Sequence, residues 1–111
     1  MAARNALMKA VPYQVERSLK KLGADLKTAR LRRNLTIQEV AQKIGTSRFV
    51  VADAEKGKPS TGIAIYAAML WVYGLIDCLA DIADPSMDAE GTTLSLPRGR
   101  ARHPSKLDNA F

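Results

Sequence analysis

The side chains that could do chemistry in this 111-residue chain lie close together, between residues 38 and 58. Arg48 carries a planar fork of N–H donors that fits the O6 and N7 atoms of guanine, although the same fork can hold a phosphate. Lys56 and Lys58 are suited to phosphate groups as point charges. The full set that we expect to contact a nucleic acid is Gln38, Thr46, Ser47, Arg48, Phe49, Ala52, Asp53, Lys56 and Lys58.

Two members of this set each allow two interpretations. Asp53 would repel phosphate, but its carboxylate can accept a hydrogen bond from the N4 amino group of cytosine. Alternatively, it caps or pairs with a neighbouring group without reading sequence. Phe49 could contact the methyl group of a thymine, or it could only cover the surface of its helix.

Histidine and cysteine, which are frequent at catalytic and metal sites, occur only once each in the sequence. The one histidine, His103, lies in a basic C-terminal stretch, and the one cysteine, Cys78, lies in an apolar stretch expected to be core. The sequence contains no glycine-rich phosphate loop and no cluster of metal ligands. We therefore expect no enzyme activity, no cofactor and no metal.

Positive charge is concentrated in the first third of the chain. Residues 1–33 hold nine Lys or Arg and two acidic residues, whereas residues 60–92 hold five acidic residues and no Lys or Arg. This asymmetry favours one face for a polyanion and an opposite face turned away from it. Alternatively, the basic residues only form the solvated surface of a helix. The apolar run at 62–76 is shorter than the roughly 20 residues that cross a bilayer, and the N-terminus lacks a secretion signal. We therefore expect a cytoplasmic protein with no membrane partner.

Two short helices with a tight turn between them carry most of the candidate residues. Thr36 can cap a helix over residues 37–44, and Gly45 can end it in the left-handed conformation. Ser47 can cap the next helix, which ends near residue 55. One helix of such a pair can enter the major groove of DNA while the other braces it. The spacing therefore predicts that the partner is double-stranded DNA.

Further helices flank this pair, so the predicted fold class is all-α. Apolar residues repeat at helical spacing in a first helix from about Pro12 to Arg33, where Gly23 is a possible break. Ser60 or Thr61 can cap a fourth helix that stops near Gly74, and a fifth helix follows.

Three segments are expected along the chain. Residues 1–20 form an N-terminal arm or extension of the first helix, residues 21–85 form the helical domain, and residues 86–111 form a basic tail. Helical periodicity is weak in the tail, where residues 92–96 could make one short strand.

A set of positions across the two short helices matches a known pattern. These positions are Leu35, Thr36, Ala41, Gly45, Ser47, Glu55 and Gly57. With them, residues 22–83 resemble the Cro/repressor-like helix-turn-helix family, also called XRE-like, which implies a five-helix domain. The resemblance also implies a buried ion pair, here Arg30 and Glu55, with a structural role. Two positions depart from the family pattern: Ile37 replaces a phosphate-contacting Gln, and Asp53 is acidic on the face turned to DNA.

Within that family, residues 55–85, EKGKPSTGIAIYAAMLWVYGLIDCLADIADP, are similar to the HipB-like antitoxins. That resemblance implies a homodimer that represses its own operon and binds a HipA-type kinase toxin. Dimer symmetry would match a palindromic operator with half-sites about one helical turn, or a multiple of it, apart. Two alternatives stay open: a stand-alone regulator without a toxin, and a protein-interaction adaptor that has lost DNA binding.

Apolar residues in two places are candidates for protein contacts. The dimer contact is expected at Leu75, Ile76, Leu79 and Ile82. Tyr66, Leu70 and Trp71 are expected to be mainly core or to lie next to that contact. Leu107 and Phe111 could anchor the tail in an apolar groove of a protein partner. Alternatively, the tail lies along DNA or contacts nothing.

Overall fold

The computed structural model describes the backbone of residues 6–101 and the side chains of residues 6–96. All regular structure within these residues is helical, which confirms the all-α class. The α-helices are α1 (Ala6–Lys9), α2 (Tyr13–Arg32), α3 (Ile37–Ile44), α4 (Arg48–Glu55), α5 (Ile63–Val72) and α6 (Ala89–Ala101). Two 3-10 helices, Ile76–Asp81 and Pro85–Met87, lie between α5 and α6 in the chain. No helix in the described part of the chain is long and apolar enough to cross a membrane.

Local bonds fix both ends of the short helix α3. The Thr36 hydroxyl accepts a hydrogen bond from the Glu39 amide at 3.0 Å, and the Glu39 carboxylate accepts one from the Thr36 amide at 2.8 Å. This reciprocal pair satisfies two N–H groups at the start of the helix that would otherwise lack a partner. At the other end, Gly45 has a φ of 83°, and its amide donates to the Ala41 carbonyl. Helix α3 therefore has the bounds that its sequence predicts.

Helix α4 follows after a short turn, and its buried side chains pack it against the neighbouring helices. The Ser47 hydroxyl caps it by accepting a hydrogen bond from the Val50 amide at 3.4 Å. Val51 and Ala54 are completely buried, and α4 packs against α2, α3 and α5. The two short helices therefore form one packed unit with the helices on either side of them.

Helix α2 passes through Gly23 without interruption, so the possible break there does not occur. Gly23 is buried, and a Cβ atom at this position would lie 2.6 Å from the carbonyl oxygens of Ala54 and Glu55. Gly57 has a φ of 70°, and a Cβ atom added there would also clash with the α2 backbone at Leu19. The two glycines let the C-terminal end of α4 meet the α2 backbone directly, which fixes the position of α4.

Helix α5 supplies much of the core. Its sequence, IAIYAAMLWV, is apolar on every side, so periodicity cannot tell which side is buried. Tyr66 and Leu70 are buried as expected, whereas Trp71 is 63% exposed. The buried cluster consists of Leu26, Ala29, Val40, Ala41, Val51, Ala54, Tyr66, Met69, Leu70 and Tyr73.

The ends of α5 and the segment after it differ from expectation. Gly62, rather than Ser60 or Thr61, occupies the cap position of α5. The expected fifth α-helix is a 3-10 helix, Ile76–Asp81, and its cysteine is exposed. The left-handed Gly74 and the proline at residue 85, which has no amide hydrogen, leave only a short stretch between them. Such short stretches commonly take the tighter 3-10 form.

The chain divides after Asp77 into two compact units, and α6 belongs to the second, which begins at Cys78. The possible strand at residues 92–96 does not form, because these residues lie in α6. The Asp88 carboxylate accepts a hydrogen bond from the Gly91 amide at 2.9 Å, and the Asp88 carbonyl accepts one from the Thr92 hydroxyl at 3.0 Å. These bonds start a helix in a segment whose threonines favour a strand.

Candidate nucleic-acid interface

The outer side of helix α4 carries most of the residues expected to face DNA. Arg48, Phe49 and Lys56 are exposed, and Ala52 and Asp53 are half-buried. The Arg48 guanidinium lies over the Phe49 ring, 5.0 Å from its centroid. A cation stacked on an aromatic ring has fewer accessible conformations than a free one. Arg48 therefore stands in the first turn of the helix as a partly ordered, accessible group.

The remaining polar candidates lie around the turn before α4. Gln38 is exposed in the first turn of α3, Thr46 is half-buried, and Ser47 is exposed. The Ser47 hydroxyl accepts the capping hydrogen bond of α4, so this residue has a structural role. Its O–H group can still donate to an anion.

Asp53 has a partner within the chain. Its carboxylate lies 3.5 Å from the Lys58 ammonium, and both side chains are partly exposed. The Lys58 amide also donates to the Asp53 carbonyl at 3.1 Å. This geometry favours the interpretation that Asp53 pairs locally and neutralises part of the charge of Lys58.

Arg30 and Glu55 form a two-pronged ion pair between α2 and the end of α4. Arg30 Nε lies 2.7 Å from Glu55 Oε2, and Arg30 Nη2 lies 3.1 Å from Glu55 Oε1. A third donor, Nη1, bonds the Leu35 carbonyl at 2.9 Å. The two side chains are only 8% and 6% exposed. The pair therefore ties the loop between α2 and α3 to the end of α4.

The electrostatics of this pair extend to Tyr73. The hydrogen bond with Glu55 raises the pKa of Arg30 above its ordinary value. Burial, followed by the negative charge of Glu55, raises the pKa of Tyr73 to about 12. The buried Tyr73 hydroxyl has no hydrogen-bond partner among the described residues. The region behind α4 is therefore a low-dielectric environment in which an unpaired charge would be costly.

Two lysines of α2 that are not in the expected set line hollows together with members of that set. Lys27 lines a hollow together with Ala52 and Lys56, and Lys20 lines another with Lys56 and Lys58. The concentration of positive charge in residues 1–33 pointed to this helix, but it did not select these two positions.

The residues expected at protein contacts have different surroundings. In the first unit, Leu75 is 43% exposed, while Ile76 is partly buried against the core. In the second unit, Ile82 is 70% exposed and Leu79 is half-buried. Leu107 and Phe111 lie outside the described residues. The dimer contact and the docking role of the tail remain predictions.

Comparison with known families supports a DNA-binding class. Residues 26–74, from the second half of α2 to the end of α5, match the family model described as Helix-turn-helix. No curated protein and no solved structure gives a significant match. The fold is that of an all-α helix-turn-helix domain, and the family match indicates a DNA-binding transcriptional regulator. The match supports the Cro/repressor-like resemblance without distinguishing among its subfamilies.

Proposed function

We propose that this protein is a sequence-specific repressor that inserts helix α4 into the major groove of DNA. The observation that carries the proposal is the two-sided geometry of α4. Buried Val51 and Ala54 fix its inner side, while Arg48 and Phe49 are exposed in its first turn. The N-terminal residues of a recognition helix are the ones that reach base edges. Arg48 then reads a guanine, and Phe49 lies beside it.

Four lysines, two on α2 and two after the end of α4, supply the contacts to phosphates. Lys56 and Lys58 follow the helix, and Lys20 and Lys27 line hollows beside it. The exposed pair of Lys58 with Asp53 is worth only about 0–1 kcal/mol. A phosphate can therefore replace Asp53 as the partner of Lys58 at little cost. The side chains of Gln38, Thr46 and Ser47 donate further hydrogen bonds to the sugar-phosphate backbone of the DNA.

Replacement of Arg48 by Ala tests the reading role. Binding of the full chain should be measured by gel shift on DNA from upstream of its own gene and on a shuffled duplex of equal composition. Loss of a paired contact to guanine should weaken specific binding by about 1–3 kcal/mol, with little change on the shuffled duplex.

Lys27→Ala is the matched comparison for that experiment. A lost phosphate contact should weaken binding to both duplexes by similar factors and lower the salt dependence of binding. If Arg48→Ala behaves in the same way as Lys27→Ala, then Arg48 holds a phosphate and does not read a base.

The repressor would act as a homodimer on a palindromic operator. The proposed contact uses Leu75, Ile76, Leu79 and Ile82, of which Leu75 and Ile82 expose large apolar side chains. Two-fold symmetry would place two copies of α4 in successive major grooves about 10 base pairs, or a multiple of that spacing, apart.

The finer part of the proposal is an antitoxin role in the cytoplasm. It is supported by the resemblance of residues 55–85 to HipB-like proteins, which implies autorepression and a HipA-type kinase toxin as partner. The tail, through Leu107 and Phe111, is the proposed docking segment. Co-purification of the full chain and of a chain lacking residues 97–111 with the kinase encoded by a neighbouring gene tests both points. Absence of such a gene would leave a stand-alone regulator, and unchanged capture by the shortened chain would contradict tail docking.

A further inference from the structure

An open groove of about 490 Å³ lies on the first unit, and none of its lining residues belongs to α4. We call it the Trp71 groove, and its lining residues are Arg33, Leu35, Lys43, Trp71 and Val72. They come from the ends of α2, α3 and α5 and from the loop after α2. None of them belongs to the set expected to contact DNA. The volume falls within the range of sites that hold a small molecule or a few side chains.

Two cations at this groove have no carboxylate partner among the described residues. Neither Arg33 nor Lys43 forms a salt bridge with any residue in the part of the chain that the structure describes. Arg33 is nevertheless held in place, because its Nη1 donates to the Ala29 carbonyl at 2.9 Å and its guanidinium lies 5.6 Å from the centre of the Tyr73 ring. The other N–H groups of Arg33 can therefore bind an anion with little loss of side-chain entropy.

Apolar surface adjoins the two cations. Trp71 is 63% exposed, although it lies on the helix that supplies much of the core, and Leu35 and Val72 are half-buried beside it. An exposed tryptophan with apolar neighbours is the kind of residue that contributes most to protein interfaces. A ligand that covers Trp71 must therefore be apolar at its centre and anionic at its edges.

We propose that the Trp71 groove binds an acidic peptide segment of a partner protein. An aromatic or aliphatic side chain of that segment packs on Trp71, and carboxylates on either side of it pair with Arg33 and Lys43. Charge complementarity and the apolar floor select this ligand over duplex DNA, whose phosphates offer nothing to cover an indole ring. The proposal goes beyond DNA binding and does not depend on it.

The groove carries the only tryptophan of the chain, so its fluorescence reports on occupancy. The first probe is the acetylated, amidated peptide Asp-Glu-Phe-Leu-Glu-Asp, titrated into the full chain. Two matched peptides replace the acidic residues by Asn and Gln, or the Phe-Leu centre by Ala-Ala. We expect a saturable change in emission with the first peptide and about tenfold weaker binding of each of the other two.

Variants then place the site. Arg33→Glu with Lys43→Glu should weaken binding of a fluorescein-labelled form of the peptide by about tenfold in anisotropy, because two attractions become repulsions. Arg17→Glu with Lys21→Glu makes the same change in net charge elsewhere on α2 and should have little effect. Lys43→Glu alone serves if the double variant does not fold. Trp71→Ala should also weaken binding, whereas Ile63→Ala, at an exposed position of the same helix, should not.

Three results would overturn the proposal. The first is no binding of the acidic peptide at millimolar concentration, and the second is equal binding of the uncharged peptide. The third is displacement of the labelled peptide by a shuffled duplex with equal loss in both charge-reversed variants, which would assign the groove to DNA. A chain that binds the peptide but no DNA would contradict the proposed function and leave this inference standing.

Discussion

Replacement of Glu55 by Ala should lower the free energy of unfolding by about 3–5 kcal/mol, because it leaves the buried guanidinium of Arg30 without its partner. Two short contacts and the low exposure of both side chains place this pair among buried ion pairs. The Leu35 carbonyl, which Arg30 also binds, cannot neutralise the remaining charge. Urea denaturation of the two proteins at neutral pH measures the difference.

A surface pair in the same protein provides the control. Glu16 lies 3.5 Å from Lys20 on α2, with both side chains about half exposed or more. Glu16→Ala should change stability by less than about 1 kcal/mol. The double variant Arg30→Ala with Glu55→Ala should lose less than the sum of the two single losses, since it leaves no unpaired charge. A small loss for Glu55→Ala, or strict additivity, would contradict a buried pair.

The variant Gly23→Ala should be destabilised by about 1–3 kcal/mol, although Ala is the better helix former by about 1 kcal/mol. The added methyl group would lie 2.6 Å from two carbonyl oxygens and 2.7 Å from the Gly57 amide nitrogen. All three are backbone atoms, which cannot rotate away as a side chain can. Helix α4 would have to move, so DNA binding should fall together with stability.

Gly62→Ala is the control for this variant. A Cβ atom at Gly62 meets nothing within 4 Å, so only part of a capping preference is lost, at a cost below about 1 kcal/mol. Thermal unfolding followed by circular dichroism compares the two. A Gly23→Ala protein as stable as the parent, with full DNA affinity, would show that the close approach of α4 to α2 does not exist in solution.

The elements predicted best from sequence are those that local bonds determine. Thr36, Glu39 and Gly45 lie within a few residues of the groups they bond or the helix end they form, so they fix the bounds of α3. The buried pair of Arg30 and Glu55 spans 25 positions, and only a family resemblance could suggest it. A local cap can also be overlooked: Asp88 bonds the first turn of α6, where the sequence pattern allowed a strand.

Features that depend on packing could not be predicted from sequence. Gly23 was visible as a glycine in a helix, but only the folded chain shows the α4 backbone against it. The exposure of Trp71 could not be predicted, because α5 is apolar on every side and has no polar face that would indicate the solvent side. The Trp71 groove therefore emerges only when the ends of three helices are brought together.

The most direct test of the central claim is hydroxyl-radical footprinting of the full chain on DNA from upstream of its own gene. Insertion of α4 into the major groove by a symmetric dimer predicts two protected stretches related by two-fold symmetry, with centres about 10 base pairs or a multiple of that spacing apart. For Arg48→Ala, the protein concentration that gives half-maximal protection should rise by the factor of about 5 to 150 that corresponds to a loss of about 1–3 kcal/mol. Uniform weak protection, the same for the parent chain and for Arg48→Ala, would contradict the account, because it would show a basic protein that binds DNA without reading it.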